Sequence, residues 1–137
     1  MASFSVTLEW SRKRNKSNAA EAFRDWWDEV GYYILYRGST VSYAGQSKVC
    51  TVSEALSKDK RTTGVKVCKI IRKSGNLTKK RIGEVERALV YYLQPWQNRN
   101  LKDQGPAISL IIRNEGARTP LPKKLKWDAT KKKYFES

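Results

Sequence analysis

Apolar residues recur along this chain with two different periods, and these periods predict its secondary structure. Over 4–10, apolar and polar residues alternate, which is typical of a strand with one buried face. Over 19–30 and over 78–93, apolar residues return every three or four positions, which predicts two amphipathic helices. Pro95 is expected to end the second helix, because proline cannot continue it.

The stretch after the first helix has the pattern of a β-hairpin. Two runs rich in β-branched and aromatic residues, Gly31 to Tyr36 and Thr40 to Ala44, flank the turn signal Arg37-Gly38-Ser39. Glycines at Gly31 and Gly45 allow a close approach to the backbone. The approaching group is either a neighbouring strand or a ligand.

The second half of the chain predicts further elements around this hairpin. A short helix is expected over 49–60, and a strand over 65–72, in which lysines and an arginine would give one wet, basic face. Alternating apolar residues over 107–113 predict an edge strand. The lysines at 123–126 and 131–133 are interpreted as part of a basic tail.

These elements predict a single domain, 1–137, of mixed α/β (α+β) class, with a small mixed or antiparallel β-sheet flanked by helices. Its core would span 30–98. A strand and a helix in 1–29 would precede the core, and a strand and a basic tail in 99–137 would follow it.

The charge of the chain points to a polyanionic partner. Lysine and arginine number 28 against 13 aspartate and glutamate, which gives a formal charge of +15 at pH 7. We expect nucleic acid and no membrane, because no apolar run is long enough to span one. The alternative is a soluble protein that is merely basic. Without a signal-peptide pattern at its start, the chain is expected in the cytoplasm, associated with the nucleoid.

The rare residue types restrict the chemistry. The chain has no histidine and only Cys50 and Cys68, which excludes the usual zinc sites and a disulfide framework. Both cysteines are interpreted as small buried residues. A general base would have to be Tyr, Lys, Glu, Asp or a metal-bound hydroxide.

Several basic groups are placed where phosphate contacts are expected. The cluster from Arg12 to Lys16 precedes the first helix and is either a phosphate-binding arm or a solvated loop. Lys79 and Lys80 stand in the first turn of the second helix, against its dipole, a cost that phosphate would offset. The predicted nucleic-acid contacts are Arg12, Lys13, Arg14, Lys16, Lys48, Lys58, Lys69, Arg72, Lys79 and Lys80.

Glu86 is placed differently from the other acids, in the middle of the second helix beside its apolar stripe. Magnesium commonly takes one or two protein carboxylates and completes its shell with water and phosphate oxygens. Glu86 is therefore a candidate metal ligand. The alternative is a solvated carboxylate that pairs with Arg87 or a lysine one turn away.

Two motifs together resemble those of a known family of nucleases. Gly31-Tyr32-Tyr33 and Tyr43-Ala44-Gly45 are similar to the paired signature of the GIY-YIG nuclease superfamily, and the stretch Glu86 to Asn98, with Pro95 inside it, is similar to that family's Glu, Pro and Asn pattern. The resemblance implies that Tyr33 and Tyr43 line the site, one as a candidate general base. It also implies that Glu86 binds one Mg²⁺ or Mn²⁺ and that Asn98 supports the site.

One family residue is missing from its expected place. The resemblance implies an arginine on the helix after the second motif, but 51–55 contains none. Lys58 and Arg61 follow one or two turns later, and Lys69 or Arg72 on the next strand could supply the charge. A lysine is not equivalent, because guanidinium binds phosphate through two parallel hydrogen bonds. A displaced arginine, a weak or inactive site, and a substituted variant of the chain are three explanations.

The function predicted from these residues and this resemblance is that of a metal-dependent DNA endonuclease that hydrolyses phosphodiester bonds of duplex DNA. Tyr33, Tyr43, Glu86, Asn98, Lys48 and Arg61 are the candidate catalytic residues, and Lys48 would help to lower the pKa of Tyr43. A homodimer would serve double-strand cleavage. The alternatives are a catalytically inert nucleic-acid-binding module of the same fold and an RNA-binding protein whose exposed Trp or Tyr side chains stack on bases.

Overall fold

A computed structural model describes residues 3–24, 31–46, 54, 56–57, 60–95 and 105–136. The strands are β1 (Ser3–Trp10), β2 (Arg14–Asn15), β3 (Gly31–Arg37), β4 (Thr40–Gln46), β5 (Gly64–Lys73), β6 (Ser109–Gly116), β7 (Lys124–Asp128) and β8 (Lys133–Glu136). The helices are α1 (Lys16–Ala22) and α2 (Lys79–Leu93).

The strands form one mixed sheet in the order β4-β3-β5-β1-β6-β7-β8, and the short β2 pairs with β5 outside this path. Strands β1 and β6 run parallel, and the other described pairs are antiparallel. Because β4 and β8 each have one strand neighbour in this order, they form the two edges of the sheet. The mixed α/β fold class predicted from the sequence is confirmed.

The two described helices cover opposite faces of this sheet. Successive residues of a strand point to opposite sides, so neighbouring residues of β3 contact different helices. On one face, Ile82, Val85 and Leu89 of α2 belong to the larger core cluster together with Tyr32 and Ile34 of β3. We call this the α2 face. On the other, the α1 face, Ala19 and Phe23 cluster with Tyr33 and Leu35 of β3 and with Val65 and Val67 of β5.

Gly31 lets β3 and β5 pair closely. A Cβ at this position would lie 1.9 Å from the backbone oxygen of Cys68, far closer than two such atoms can approach. Gly31 is paired with Lys69 in the antiparallel β3–β5 ladder. The approaching group at Gly31 is therefore a neighbouring strand and not a ligand.

Several predicted elements are confirmed. Strand β1, the hairpin β3–β4 with its turn at Gly38 and Ser39, and strand β5 lie where the sequence predicts them. Helix α2 begins after Thr78, whose hydroxyl accepts a hydrogen bond from the Arg81 N–H at 3.2 Å, and ends before Pro95. Helix α1 begins at Lys16, earlier than predicted, directly after β2 pairs with β5. The rest of that predicted helix and most of 49–60 lie outside the described residues.

The end of the chain differs from the prediction. Strand β6 is not an edge strand, because β1 and β7 pair with its two sides. The expected basic tail forms β7 and β8, which extend the sheet. Leu125 and Trp127 alternate with lysines along β7 and are buried, so these lysines occupy one side of a strand and not a solvated tail.

Lys66 was also misplaced by the prediction of a uniformly wet, basic face on β5. Its side chain is buried, and its ammonium group donates to the backbone oxygens of Ala117 and of Thr119, the latter at 2.6 Å. Burial, and then the charge of Lys13, lower the pKa of Lys66. The residue has a structural role, because it ties the β6–β7 loop to β5.

Candidate functional site

Tyr33 and Tyr43 lie together on the α1 face. Their rings are stacked with centroids 6.1 Å apart and an interplanar angle of 17°. The register explains the contact, because Tyr33 pairs with Gly45 and Leu35 pairs with Tyr43, which places all four residues on one side of the hairpin. The sequence prediction that the two motif tyrosines are neighbours is confirmed.

Glu86 reaches the hairpin from the α2 face. Its Oε1 accepts a hydrogen bond from the side-chain amide of Gln46 at 3.2 Å. Burial raises the pKa of Glu86, and the hydrogen bonds from Gln46 and the charge of Arg87 offset part of this rise. Because the folded pKa is raised, the stability that Glu86 contributes is lost as pH rises through that value. A bound cation would relieve this cost by favouring the ionised carboxylate.

Tyr33 and Glu86 lie on opposite faces of the sheet and border one gap beside Gly45. The gap is lined by residues from both faces, among them Tyr33, Gly45 and Glu86, and it is too narrow to hold a water molecule. A Cβ at Gly45 would lie 2.7 Å from the Tyr33 hydroxyl oxygen. The Tyr33 ring can therefore occupy this position only because residue 45 is glycine. In the part of the chain that the structure describes, β4 has no strand neighbour beyond Gly45.

The sequence predicts Tyr32 and Tyr36 on the packed face opposite Tyr33, Tyr43 and Glu86, but they lie on the α2 face, from which Glu86 also reaches the hairpin. The prediction is wrong for Glu86, because its helix packs on the side of Tyr32 and not of Tyr33. The Tyr32 hydroxyl donates to the backbone oxygen of Ile82 at 2.7 Å. Burial is the main cause that raises the pKa of Tyr32, with smaller contributions from Cys68 and Glu86. Burial also raises the pKa of Tyr36 to about 12. Neither residue is suited to act as a base, because each strongly favours its protonated form.

The structure brings neither of the two candidate arginines into the gap. Arg72 binds the carboxylate of Glu115 at the surface. Arg61 lies three residues before Gly64, which pairs with Tyr36 towards the turn end of the hairpin, and it does not line the gap. Lys69 lies 3.9 Å from a carboxylate oxygen of Glu9. Arg72 therefore does not supply the missing charge at the gap, because its guanidinium binds Glu115 instead.

Three predicted site residues, Lys48, Lys58 and Asn98, lie outside the described residues. Cys50 lies outside them as well, while Cys68 is buried as predicted and burial raises its pKa. Lys79 and Lys80 are exposed at the start of α2, so they are accessible to phosphate. Their role as nucleic-acid contacts stays a prediction.

Comparisons with known proteins give no relative. No family model, curated protein or solved structure matches this chain. Among the described residues, no three or more acidic, cysteine or histidine side chains group as metal ligands, and no helix is both long and apolar enough to cross a membrane.

The carboxylate of Glu86 fits a magnesium ion in kind, because it is a hard oxygen donor and magnesium usually keeps several waters beside one or two carboxylates. Gln46 presents its amide nitrogen to this carboxylate and so orients it, and its amide oxygen is not a second donor there. Gln46 was missed by the sequence analysis. One indication was present in the sequence. Gln46 lies two residues after Ala44, so its side chain points to the same face of β4 as that of Ala44.

A separate cluster of cations lies at the turn end of the hairpin. It brings together residues from three segments, namely Arg12, Lys13, Arg14, Lys16, Arg37, Lys60 and Arg61, and we call it the basic end. Lys13 donates to the backbone oxygen of Gly38 at 2.9 Å and lies over the Tyr36 ring, and Lys16 donates to that of Lys60 at 3.3 Å. Five residues of β4 place the basic end about 17 Å from Gly45, at roughly 3.4 Å per residue.

Proposed function

We propose that this chain is a metal-dependent DNA endonuclease of GIY-YIG type, which hydrolyses phosphodiester bonds of duplex DNA. The observation that supports this best is the gap at the sheet edge, which is lined by Tyr33 and Glu86 from opposite faces. These two residues belong to separate motifs, and their shared position beside Gly45 is what supports the proposal.

Each residue has a distinct part in the proposed reaction. Glu86, oriented by Gln46, would hold Mg²⁺ or Mn²⁺, which would stabilise charge on the phosphate. The Tyr33 hydroxyl oxygen would accept a proton from the attacking water, which requires the phenolate form. Tyr43, stacked on Tyr33, would fix the orientation of that ring. The P–O bond to the leaving strand would break as the new P–O bond to water forms, and the leaving oxygen would take its proton from a solvent water molecule.

The basic end supports duplex DNA as the substrate. Its exposed arginines and lysines come from three segments and can contact several phosphates of one duplex. At about 17 Å from Gly45, they lie within one helical turn of DNA, which is about 34 Å long. Affinity for duplex should therefore fall steeply with salt, because each neutralised phosphate releases counterions.

Incubation with supercoiled plasmid tests this proposal. We expect nicked or linear plasmid in the presence of Mg²⁺ or Mn²⁺ and none after EDTA is added. Discrete fragments would identify a sequence-specific enzyme, and a smear a non-specific one. Plasmid that stays supercoiled with every metal and pH, while the protein still binds it, would contradict hydrolysis.

That contrary result would support the second candidate, an inert nucleic-acid-binding module of the same fold. The arginine geometry favours it, because no arginine of the described residues lines the gap at Gly45. Guanidinium groups are well suited to chelate phosphate, and a lysine offers only a point charge. A binder would keep the basic end and its salt dependence but would show no effect of metal on the plasmid.

A further inference from the structure

The last three strands expose a cationic side that the proposed reaction does not use. Arg113 pairs with Lys124, and Lys126 pairs with both Ile111 and Phe135, so these side chains share one side of β6, β7 and β8. Lys133, next to Tyr134 on β8, points the same way as Phe135. Asp128, which is paired with Lys133, lies on the same side. We call the side formed by Ile111, Arg113, Lys124, Lys126, Asp128, Lys133 and Phe135 the outer face.

The opposite side of the same strands packs in the core, so the outer face points to solvent. Leu110, Leu125 and Trp127 are buried there. The hydroxyl of Tyr134 donates to the backbone oxygen of Ala88 on α2. Since Tyr134 points inward, Phe135 must point outward.

The outer face is strongly basic. Over 105–136 the chain has eight lysines and arginines against three acids. A groove of about 280 Å³ continues the face and is lined by Arg113, Lys123 and Lys124 together with Asn114 and Glu115. Part of the acidic charge is already neutralised, because Glu115 binds Arg72. A polyanion complements this surface.

Phe135 adds an apolar contact to the charge. It is the one large apolar side chain reported as exposed among the described residues, with 38% of its surface accessible. The ammonium groups of Lys133 and Lys131 lie 5.0 and 5.7 Å from its ring centroid. An exposed ring among cations can stack on an unpaired base while the cations hold the adjacent phosphates.

We infer that the outer face binds single-stranded DNA. The three strands span only about 10 Å, since neighbouring strands lie roughly 4.8 Å apart, and an exposed aromatic ring gains little from a duplex whose bases are stacked inside. The choice of DNA over RNA rests on the proposed function. The inference that the outer face binds a single strand does not rest on it. Such a face, at the edge of the sheet opposite to β4, would hold a single-stranded stretch that extends away from the cleavage site.

Two triple variants with equal loss of charge test this inference. One replaces Lys124, Lys126 and Lys133 of the outer face with glutamine, and the other replaces Arg12, Arg14 and Lys60 of the basic end. Binding to labelled oligo(dT), to the matching oligo(U) and to duplex DNA is measured by fluorescence anisotropy in EDTA over a range of salt. EDTA removes any cleavage from the measurement.

We expect the outer-face variant to bind oligo(dT) at least tenfold more weakly, with a salt slope reduced by about 2, at roughly 0.7 per phosphate contact. Phe135→Leu should weaken oligo(dT) binding about fivefold or more and leave duplex binding unchanged. The basic-end variant should mainly lose duplex affinity. Equal loss of oligo(dT) affinity in both triple variants, or no binding of oligo(dT) by the unaltered chain, would overturn the inference.

Tighter binding of oligo(U) than of oligo(dT) would overturn the choice of DNA. The outcome is independent of the nuclease proposal, because a chain that never cleaves plasmid can still bind oligo(dT) through this face. Conversely, if the chain cleaves plasmid but its outer-face variant binds oligo(dT) normally, the inference is refuted and the nuclease proposal is not.

Discussion

Glu86→Gln is expected to slow plasmid nicking about a thousandfold, by analogy with the loss of one strong electrostatic contact to a transition state. The amide keeps the size of the side chain and can still accept the hydrogen bond from Gln46. It removes the negative charge that would hold the metal. Duplex affinity in EDTA should stay unchanged, because the basic end is untouched.

Glu84→Gln is the matched control for this variant. Glu84 lies two residues earlier on α2 and accepts a hydrogen bond from the Ala107 N–H at 2.8 Å, away from the gap. It should nick at the normal rate. Thermal unfolding gives a second readout, since Mg²⁺ should raise the Tm of the unaltered chain and of Glu84→Gln but not of Glu86→Gln. Equal nicking by both variants would rule out Glu86 as the metal ligand.

Gly31→Ala is expected to lower the free energy of unfolding by about 3 kcal/mol or more, at or beyond the usual range for overpacking. The added methyl would lie 1.9 Å from the backbone oxygen of Cys68, and backbone cannot move aside as a side-chain tip can. Separation of β3 from β5 would disturb the hairpin that carries Tyr33. Urea denaturation measures the loss.

Gly83→Ala is the control substitution for Gly31→Ala. Gly83 lies inside α2, and a Cβ there would meet nothing within 4 Å. Alanine favours a helix over glycine by roughly 1 kcal/mol, so this variant should be more stable than the unaltered chain. A Gly31→Ala chain as stable as Gly83→Ala would show that the β3–β5 spacing is not as tight as described.

Much of the fold follows from local patterns in the sequence. The alternation in β1, the turn at Gly38 and the apolar stripe of α2 each identify an element without knowledge of its neighbours. Strands β7 and β8 could not be recognised so readily, because their lysines obscured the alternation of Leu125, Trp127 and Tyr134. Strand order depends on long-range pairing, such as the parallel contact of β1 with β6, which no local pattern contains.

The residues of the candidate site could be predicted from the sequence, but their arrangement in space could not. The motifs identify Tyr33, Tyr43 and Glu86 and predict one cavity shared by all three, but the two tyrosines and the glutamate lie on opposite faces of the sheet. That arrangement depends on β4 being an edge strand and on Gly45 having no side chain. Gln46 could not be identified from the sequence, because its hydrogen bond to Glu86 exists only when α2 packs against the hairpin.

The central claim is that Tyr33 and Glu86 act as one catalytic site across the sheet edge at Gly45. A double-mutant cycle in plasmid nicking tests it most directly, with Tyr33→Phe, Glu86→Gln and the variant that carries both. Residues that act as a unit are strongly non-additive, so the double variant should nick no more slowly than the slower single variant. If the two losses instead multiply, or if both single variants nick at the normal rate, the claim is contradicted.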